Sequence, residues 1–358
     1  MKLKLLVFCF LALSFVNLGA QDFHNSFIQF APLNINPALT GAFYGNLRAN
    51  IIARDQGRPV AGGGNEFQDL SLSLDGSIDF GLTKNDWVSA GMSFARSTSG
   101  VLSFRRQFTG LNLAYHLSFG KKSDKVFTLG VRYGNYSTGF NGFGGTTTKL
   151  LADPMGQDFD LLGIQVTDSE GNLPQKSSSD YMVGMMLTTP VGKKSDIRIG
   201  ISADHLFTPR LSFPDSGMDT IPGPGPIQDE ELLRRVNGFI YYYTSISDRL
   251  VFNPNILYQK IGVSTNILFQ GLVNYLIDPK KDITLIAGLG VRLVNSTDIP
   301  VYLGADIKSW RVGISYDTNI AGLRPSNGTF GALEIGISKI FSWFKPTTVK
   351  PVYICPRL

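Results

Sequence analysis

From about residue 45 onward the chain alternates apolar and polar residues with a period of two, in short runs separated by turn-rich segments. The clearest run spans residues 69–80. Leu70, Leu72, Leu74, Ile78 and Phe80 share one face with Gly76, while Asp69, Ser71, Ser73, Asp75, Ser77 and Asp79 share the other. Successive side chains of a β-strand point to opposite sides of the sheet. A strand with one wholly apolar and one wholly polar face, repeated along a chain, suits a closed barrel with lipid outside and water inside. The alternation predicts an all-β fold, a transmembrane antiparallel β-barrel of about 14 strands. Their expected spans are 45–54, 68–80, 86–97, 105–118, 126–137, 180–188, 197–206, 236–247, 250–259, 267–276, 283–294, 299–307, 310–317 and 331–341. An even number brings both chain ends to one side of the membrane.

The connections carry independent information. Those after even-numbered strands are short and mostly rich in Lys and Asp, such as Gly120-Lys121-Lys122-Ser123-Asp124 and Asp278-Pro279-Lys280-Lys281-Asp282. Those after odd-numbered strands include 55–67, 138–179, 207–235 and 318–330, which are long and rich in Gly and Pro. Short periplasmic turns alternating with long external loops is the asymmetry of an outer-membrane barrel. A soluble sandwich would not sort its loops by parity. Lipid-facing sets are expected at Phe127, Leu129, Val131 and Tyr133, at Ile283 to Leu293, and at Trp310, Val312, Ile314 and Tyr316, with rings near strand ends where interfacial girdles belong.

Composition refines this picture. Only 17% of the 358 residues are charged, below the roughly 25% of soluble domains. The first twenty residues read as a secretory signal: Lys2 and Lys4, an apolar stretch from Leu5 to Val16, then a small-residue end before Gln21. Sec-dependent export with cleavage after about Ala20 is therefore expected, leaving 21–44 as a periplasmic segment, 45–344 as the barrel and 345–358 as a periplasmic tail. The formal charge of +5 includes the two leader lysines, and scattered Lys on turns gives no nucleic-acid stripe. Cys355 is the one cysteine after the leader, so no internal disulfide forms.

Candidate chemistry is sparse. His24, His116 and His205 do not fall in metal-ligand spacing with Cys or acids. His116 shares a face with Asn112 and Ser118, which admits a barrel hydrolase but reads first as a lumen-lining polar row. Asp204 and His205, adjacent on an expected strand, should point to opposite faces. Neither Gly62-Gly63-Gly64 nor Gly288-Leu289-Gly290 is a phosphate cradle, since no helix follows. No cofactor is expected. Arg48 and Arg54, with Asp69, Asp75 and Asp79 on the next strand, place both signs of charge in the lumen, and pairing there favours a rigid or plugged interior over a wide pore.

The two ends carry further motifs. The first is Asn36-Pro37-Ala38 with Gly41, followed by Arg54-Asp55-Gln56; the second is Ser315-Tyr316-Asp317, Leu323-Arg324-Pro325 and a closing Cys355-Pro356-Arg357. In this order they resemble the PorP/SprF family of outer-membrane proteins of the type IX secretion system and gliding machinery. The resemblance implies a non-enzymatic barrel working with the translocon and with periplasmic ring or peptidoglycan-linked components. It also implies the export or anchoring of a surface protein such as an adhesin with a type B C-terminal signal. On this reading 21–44 and 345–358 are available for periplasmic docking. Leu323, Arg324 and Pro325 either order the last external loop, with Arg324 reaching an inward acid such as Asp317, or form a local turn. The alternative is a passive channel for small solutes.

Overall fold

Every strand expected from the alternation is present in a computed structural model, which describes residues 25–56, 67–78, 85–99, 104–120, 124–140, 175–210, 231–293, 297–320 and 331–343. The strands are β1 (Leu47–Gln56), β2 (Phe67–Ile78), β3 (Trp87–Ser99), β4 (Phe104–Phe119), β5 (Lys125–Phe140), β6 (Gln175–Pro190), β7 (Ser195–Asp204), β8 (Arg235–Ser247), β9 (Leu250–Ile261), β10 (Ser264–Asp278), β11 (Ile283–Leu293), β12 (Thr297–Ile307), β13 (Trp310–Asn319) and β14 (Ala332–Phe341). Each pairs antiparallel with its sequence neighbours, and β1 closes the barrel on β14 with Leu47 opposite Phe341 and Arg54 opposite Glu334. Closure leaves no sheet edge exposed to lipid.

The apolar face of each strand is the outer one. Leu72, Leu111, Leu129, Val131, Ile201, Leu289 and Leu303 are all exposed, whereas Ser71, Asp75, Thr128, Ser202 and Ser315 on the alternate positions are buried. That inversion of the soluble rule places lipid outside. Exposed rings form two bands, with Phe119, Tyr275, Trp310 and Phe341 toward one end and Phe67, Tyr258 and Tyr316 toward the other. Lys339 Nζ sits 4.6 Å above the Trp310 ring, a cation held at an interfacial aromatic.

One end carries only brief connections, down to the two-residue turn Lys308-Ser309, where Lys308 takes φ 56°. The other carries residues 57–66, 141–174, 205–234 and 320–331, but also the two-residue turn Gly262-Val263 and the brief 100–103 and 294–296. Parity therefore separates the ends less sharply than the sequence suggested. Strands β5 and β6 also run longer than expected, because the polar stretch Ser177–Ser179 pairs with Asn135–Ser137, Ser177 Oγ donating to Asn135 Oδ1 at 2.6 Å. With no apolar face, those residues give no alternation to read.

Candidate functional site, a plugged lumen

Residues 25–43 lie inside the barrel. The expected periplasmic segment free for docking is not what these residues form, and the reason is their side chains. Phe27, Ile28, Phe30, Leu33, Ile35, Leu39 and Phe43 are buried, and each large apolar side chain removed from water contributes roughly 1.5–3 kcal/mol. The segment folds as three 3-10 turns, Ile28–Phe30, Pro32–Asn34 and Pro37–Leu39. Prolines open two of them, at positions where a missing N–H costs little.

Such short turns leave most backbone carbonyls without internal partners, and buried carbonyls need donors. The barrel's inner face supplies them along the length of the plug. Tyr302 Oη donates to Ser26 O at 3.1 Å. Arg132 donates to Leu33 O at 3.4 Å and Arg235 to Asn34 O at 3.1 Å. Ser202 and Asn237 both donate to Ile35 O, at 2.6 and 3.0 Å. Arg48 donates to Leu39 O at 3.1 Å, and Arg198 to Ala42 O at 3.2 Å. The polar lumen is thus a set of donors matched to one peptide.

The two ends of the plug are locked by ion pairs. At the long-loop end Glu334 accepts from Ser26 N and Phe27 N, both at 2.7 Å, and pairs with Arg54. Asp317 Oδ2 accepts from Ser26 Oγ at 2.6 Å and from Arg54 Nη1 at 2.8 Å, and Arg292 also reaches Ser26. Phe27 packs edge-on against Phe30 and Tyr302, with centroids 4.7 and 5.2 Å away. At the short-turn end Asp75 holds Arg48 through Nε and Nη2, at 3.0 and 2.8 Å, and accepts from Gly41 N at 2.7 Å.

Inward-facing glycines make room for the plug. A Cβ on Gly184 would lie 2.0 Å from Asn36 Oδ1, and one on Gly336 would lie 2.3 Å from the Phe30 ring. Comparable collisions arise at Gly130 with Ala38 and at Gly313 with Phe27.

Most of the motif residues that the structure describes meet at this plug. Asn36 caps the third turn, accepting from Ala38 N at 2.8 Å, and its amide donates to Met185 O and Ile201 O of the wall at 3.2 and 3.0 Å. Pro37 follows as the first residue of that turn. Gly41 takes φ 65°, and a Cβ there would meet Ser89 Oγ at 2.0 Å. Arg54 bonds Gln56 at 3.3 Å as well as the two acids. Tyr316 is the exception, facing outward in the aromatic band. Leu323, Arg324, Pro325, Cys355, Pro356 and Arg357 lie outside the described residues, as do Ala20 and Asp79. The expected pairing of lumen charges is realised at Arg48 and Asp75. Arg54 reaches Asp317 and Glu334 on the closing side of the barrel, while Asp69 is its register neighbour on β2.

One histidine reading holds and the other changes. His116 lies beneath the plug, stacked on Trp87 at 4.5 Å, with Nε2 2.9 Å from Thr40 O and 3.0 Å from Ser89 Oγ. It is fully enclosed and engaged with the plug's backbone. Asp204 and His205 both point inward, because His205 takes φ 54° and breaks the strand's alternation. Nδ1 of His205 sits 2.9 Å from Asp180, whereas Asp204 is clasped by Arg132 at 2.6 Å and Arg235 at 2.5 Å. Asp180, Asp204 and His205 lie close enough to hold a metal ion, but two guanidiniums already neutralise the two acids, and a dication would bring uncompensated charge.

A closed antiparallel barrel with a lipid-facing exterior and an occupied lumen defines a membrane protein of the outer-membrane type. The chain belongs to the PorP/SprF family of type IX secretion system membrane proteins, and the match over residues 17–337 takes in the plug as well as nearly all of the barrel. Among solved structures it is similar to a ΔS2S3 mutant of the monoaromatic hydrocarbon channel TodX. That pair has 12% identity and a TM-score of 0.50, over 87% of this chain and 94% of the other. The toluene transporter TbuX of Ralstonia pickettii, at 10% identity and a TM-score of 0.49, covers the same shares. Identities this low speak to the fold alone. No curated protein matches the chain.

Proposed function

We propose that this protein is a non-enzymatic adaptor of the type IX secretion system rather than a conduit. It supports export or surface anchoring of a protein bearing a type B C-terminal signal, such as an adhesin, and links it to periplasmic ring or peptidoglycan-linked components. The observation that carries the reading is the occupied lumen. A plug whose carbonyls are capped along its length and whose ends are locked by buried ion pairs does not suit a protein that passes solutes or polypeptide through its own barrel.

In this reading the leader is cut after about Ala20, the short turns and the 345–358 tail face the periplasm, and the long-loop end faces outward to seat the effector. The test is affinity purification of the tagged protein from native outer membrane with mass spectrometry of what accompanies it. Planar-bilayer recording of the same preparation runs alongside. Recovery of a large surface protein with translocon components and no steady conductance supports the adaptor. A barrel recovered alone that conducts steadily overturns it in favour of a passive channel. Deleting residues 345–358 should release the periplasmic partners while the barrel stays folded.

A further inference from the structure

The outer face of β3 to β6 changes character on its way to the long-loop end. Met92, Leu111, Tyr133 and Tyr181 form one row across the four strands, and all four side chains are exposed. Tyr133 and Tyr181 have ring centroids 5.1 Å apart. Rings in such a row belong to the upper part of the apolar band, and Phe94, the next outward residue on β3, closes it. On β3 the last apolar outward residue is Phe94, and the next outward position is Arg96. Two residues of a strand span about 6.7 Å, or roughly 5 Å along the membrane normal at the usual tilt. The headgroup layer is itself roughly 5–7 Å deep on each side. Arg96 therefore stands at headgroup depth.

A second guanidinium belongs to the same patch. Arg96 is opposite Gln107, and Arg105 is opposite Thr98, one outward position nearer the loops. Diagonal neighbours of this kind have side chains about 7–8 Å apart at their roots. Arg96 is exposed, and Arg105 Nε is buried with no hydrogen-bond partner among the described residues. Within β3 to β6 the one carboxylate is Asp180, which points into the lumen. The flanking outward side chains, Gln107 and Ser137, are uncharged. Arg96 stands at headgroup depth and Arg105 about 5 Å above it. Asp55 and Asp69 of β1 and β2 line the cavity beside Arg96, but with no acid on β3 or β4 the pair is complementary to an anion supplied from outside the chain.

We propose that Arg96 and Arg105 form a binding site for a phosphate group on the headgroup of an outer-leaflet lipid. The guanidinium fork suits phosphate, and the apolar column below, from Phe94 and Leu111 downward, receives the acyl chains. The assignment to the outer leaflet rests on the orientation proposed above; the phosphate chemistry does not.

The experiment is native mass spectrometry of the full-length barrel released from detergent after incubation with bisphosphoryl lipid A, dephosphorylated lipid A or phosphatidylglycerol. The wild type should retain bisphosphoryl lipid A, and Arg96→Gln/Arg105→Gln should retain it less by roughly tenfold or more. Arg96→Lys/Arg105→Lys should keep part of the retention, since charge survives and the fork does not. Heat-modifiable migration on gels confirms that each variant is folded. Equal retention by wild type and the Gln variant, or equal retention of the dephosphorylated lipid, overturns the site. Preference for phosphatidylglycerol overturns its outer-leaflet assignment. Unchanged lipid retention with loss of a co-purifying protein from the Gln variant would assign the patch to that partner and likewise overturn it.

Discussion

Glu334→Gln is the most exacting perturbation of the plug. Its carboxylate accepts from Ser26 N, Phe27 N and Ser315 Oγ, at 2.7, 2.7 and 3.1 Å, and it pairs with Arg54. Glutamine keeps the shape but removes the charge and turns one acceptor into a donor, facing groups that are themselves donors. Breaking a buried pair by removing one partner costs about 3–5 kcal/mol, and an orphaned backbone donor adds roughly 1–3 kcal/mol. Gly41 and Arg48 hold the far end through Asp75, so the loss falls on docking of the N-terminal half of the plug rather than on barrel folding. Taking the lower figure of about 3 kcal/mol, the undocked population rises by roughly two orders of magnitude. Hydrogen exchange measured by mass spectrometry reads this directly, since amide protection reports the free energy of local opening. Protection of amides 26–30 should fall about a hundredfold, while strand amides in β5 and β10 stay as in the wild type. Unchanged protection at 26–30 in a folded variant would refute the lock.

Gly336→Leu places a Cβ where the Phe30 ring lies 2.3 Å away; it should leave the barrel heat-modifiable, accelerate exchange across the plug and produce channel openings in planar bilayers. Asp75→Asn removes the charge that compensates Arg48 and one of the two oxygens shared by Arg48 and Gly41 N, so exchange should rise at 39–43 with little change at 26–30, the reverse of Glu334→Gln. In a Cys355→Ser background, a membrane-impermeant maleimide should label Asn25→Cys on intact cells but label Tyr44→Cys only after the outer membrane is opened. The opposite pattern would invert the proposed orientation.

Alternation made the barrel legible because the lipid-facing side admits few polar residues, so the signal repeats on every strand. Where neither face is apolar, as at Ser177–Ser179, it fell silent and β6 began earlier than expected. The charge pattern on the first two strands pointed to an occupied interior, and Arg48 with Asp75 realises it. The plug itself was readable by a different signal. Phe27, Ile28, Phe30 and Leu33 crowd a segment too apolar to rest in water, and inward positions such as Gly184 and Gly336 lack a side chain where a barrel wall has no turn to make. Neither signal is periodic, and their meaning depends on long-range pairing. Glu334 meets Ser26 across 308 positions of sequence, a contact no local pattern announces. His205 escapes the pattern for a simpler reason: a positive φ at the end of a strand cancels the alternation from which its facing is judged.

The residues expected from the resemblance bear on mechanism because of where they sit. Asn36, Pro37 and Gly41 shape the plug, and Arg54 with Asp317 clamps its Ser26 end, so these residues close the lumen. Two clamps at opposite ends hold a segment whose direction is set by its contacts. Ser26 lies with Arg54, Asp317 and Glu334 near the long-loop ends of β1, β13 and β14, whereas Gly41 lies with Asp75 and Arg48 near the short turns. The chain therefore threads the barrel from the long-loop end before turning into β1. In the proposed orientation, a load that reached the plug from the periplasmic face would meet the short-turn clamp before the Ser26 clamp. That mechanical order suits an anchor, and it separates the two locks into independently testable parts.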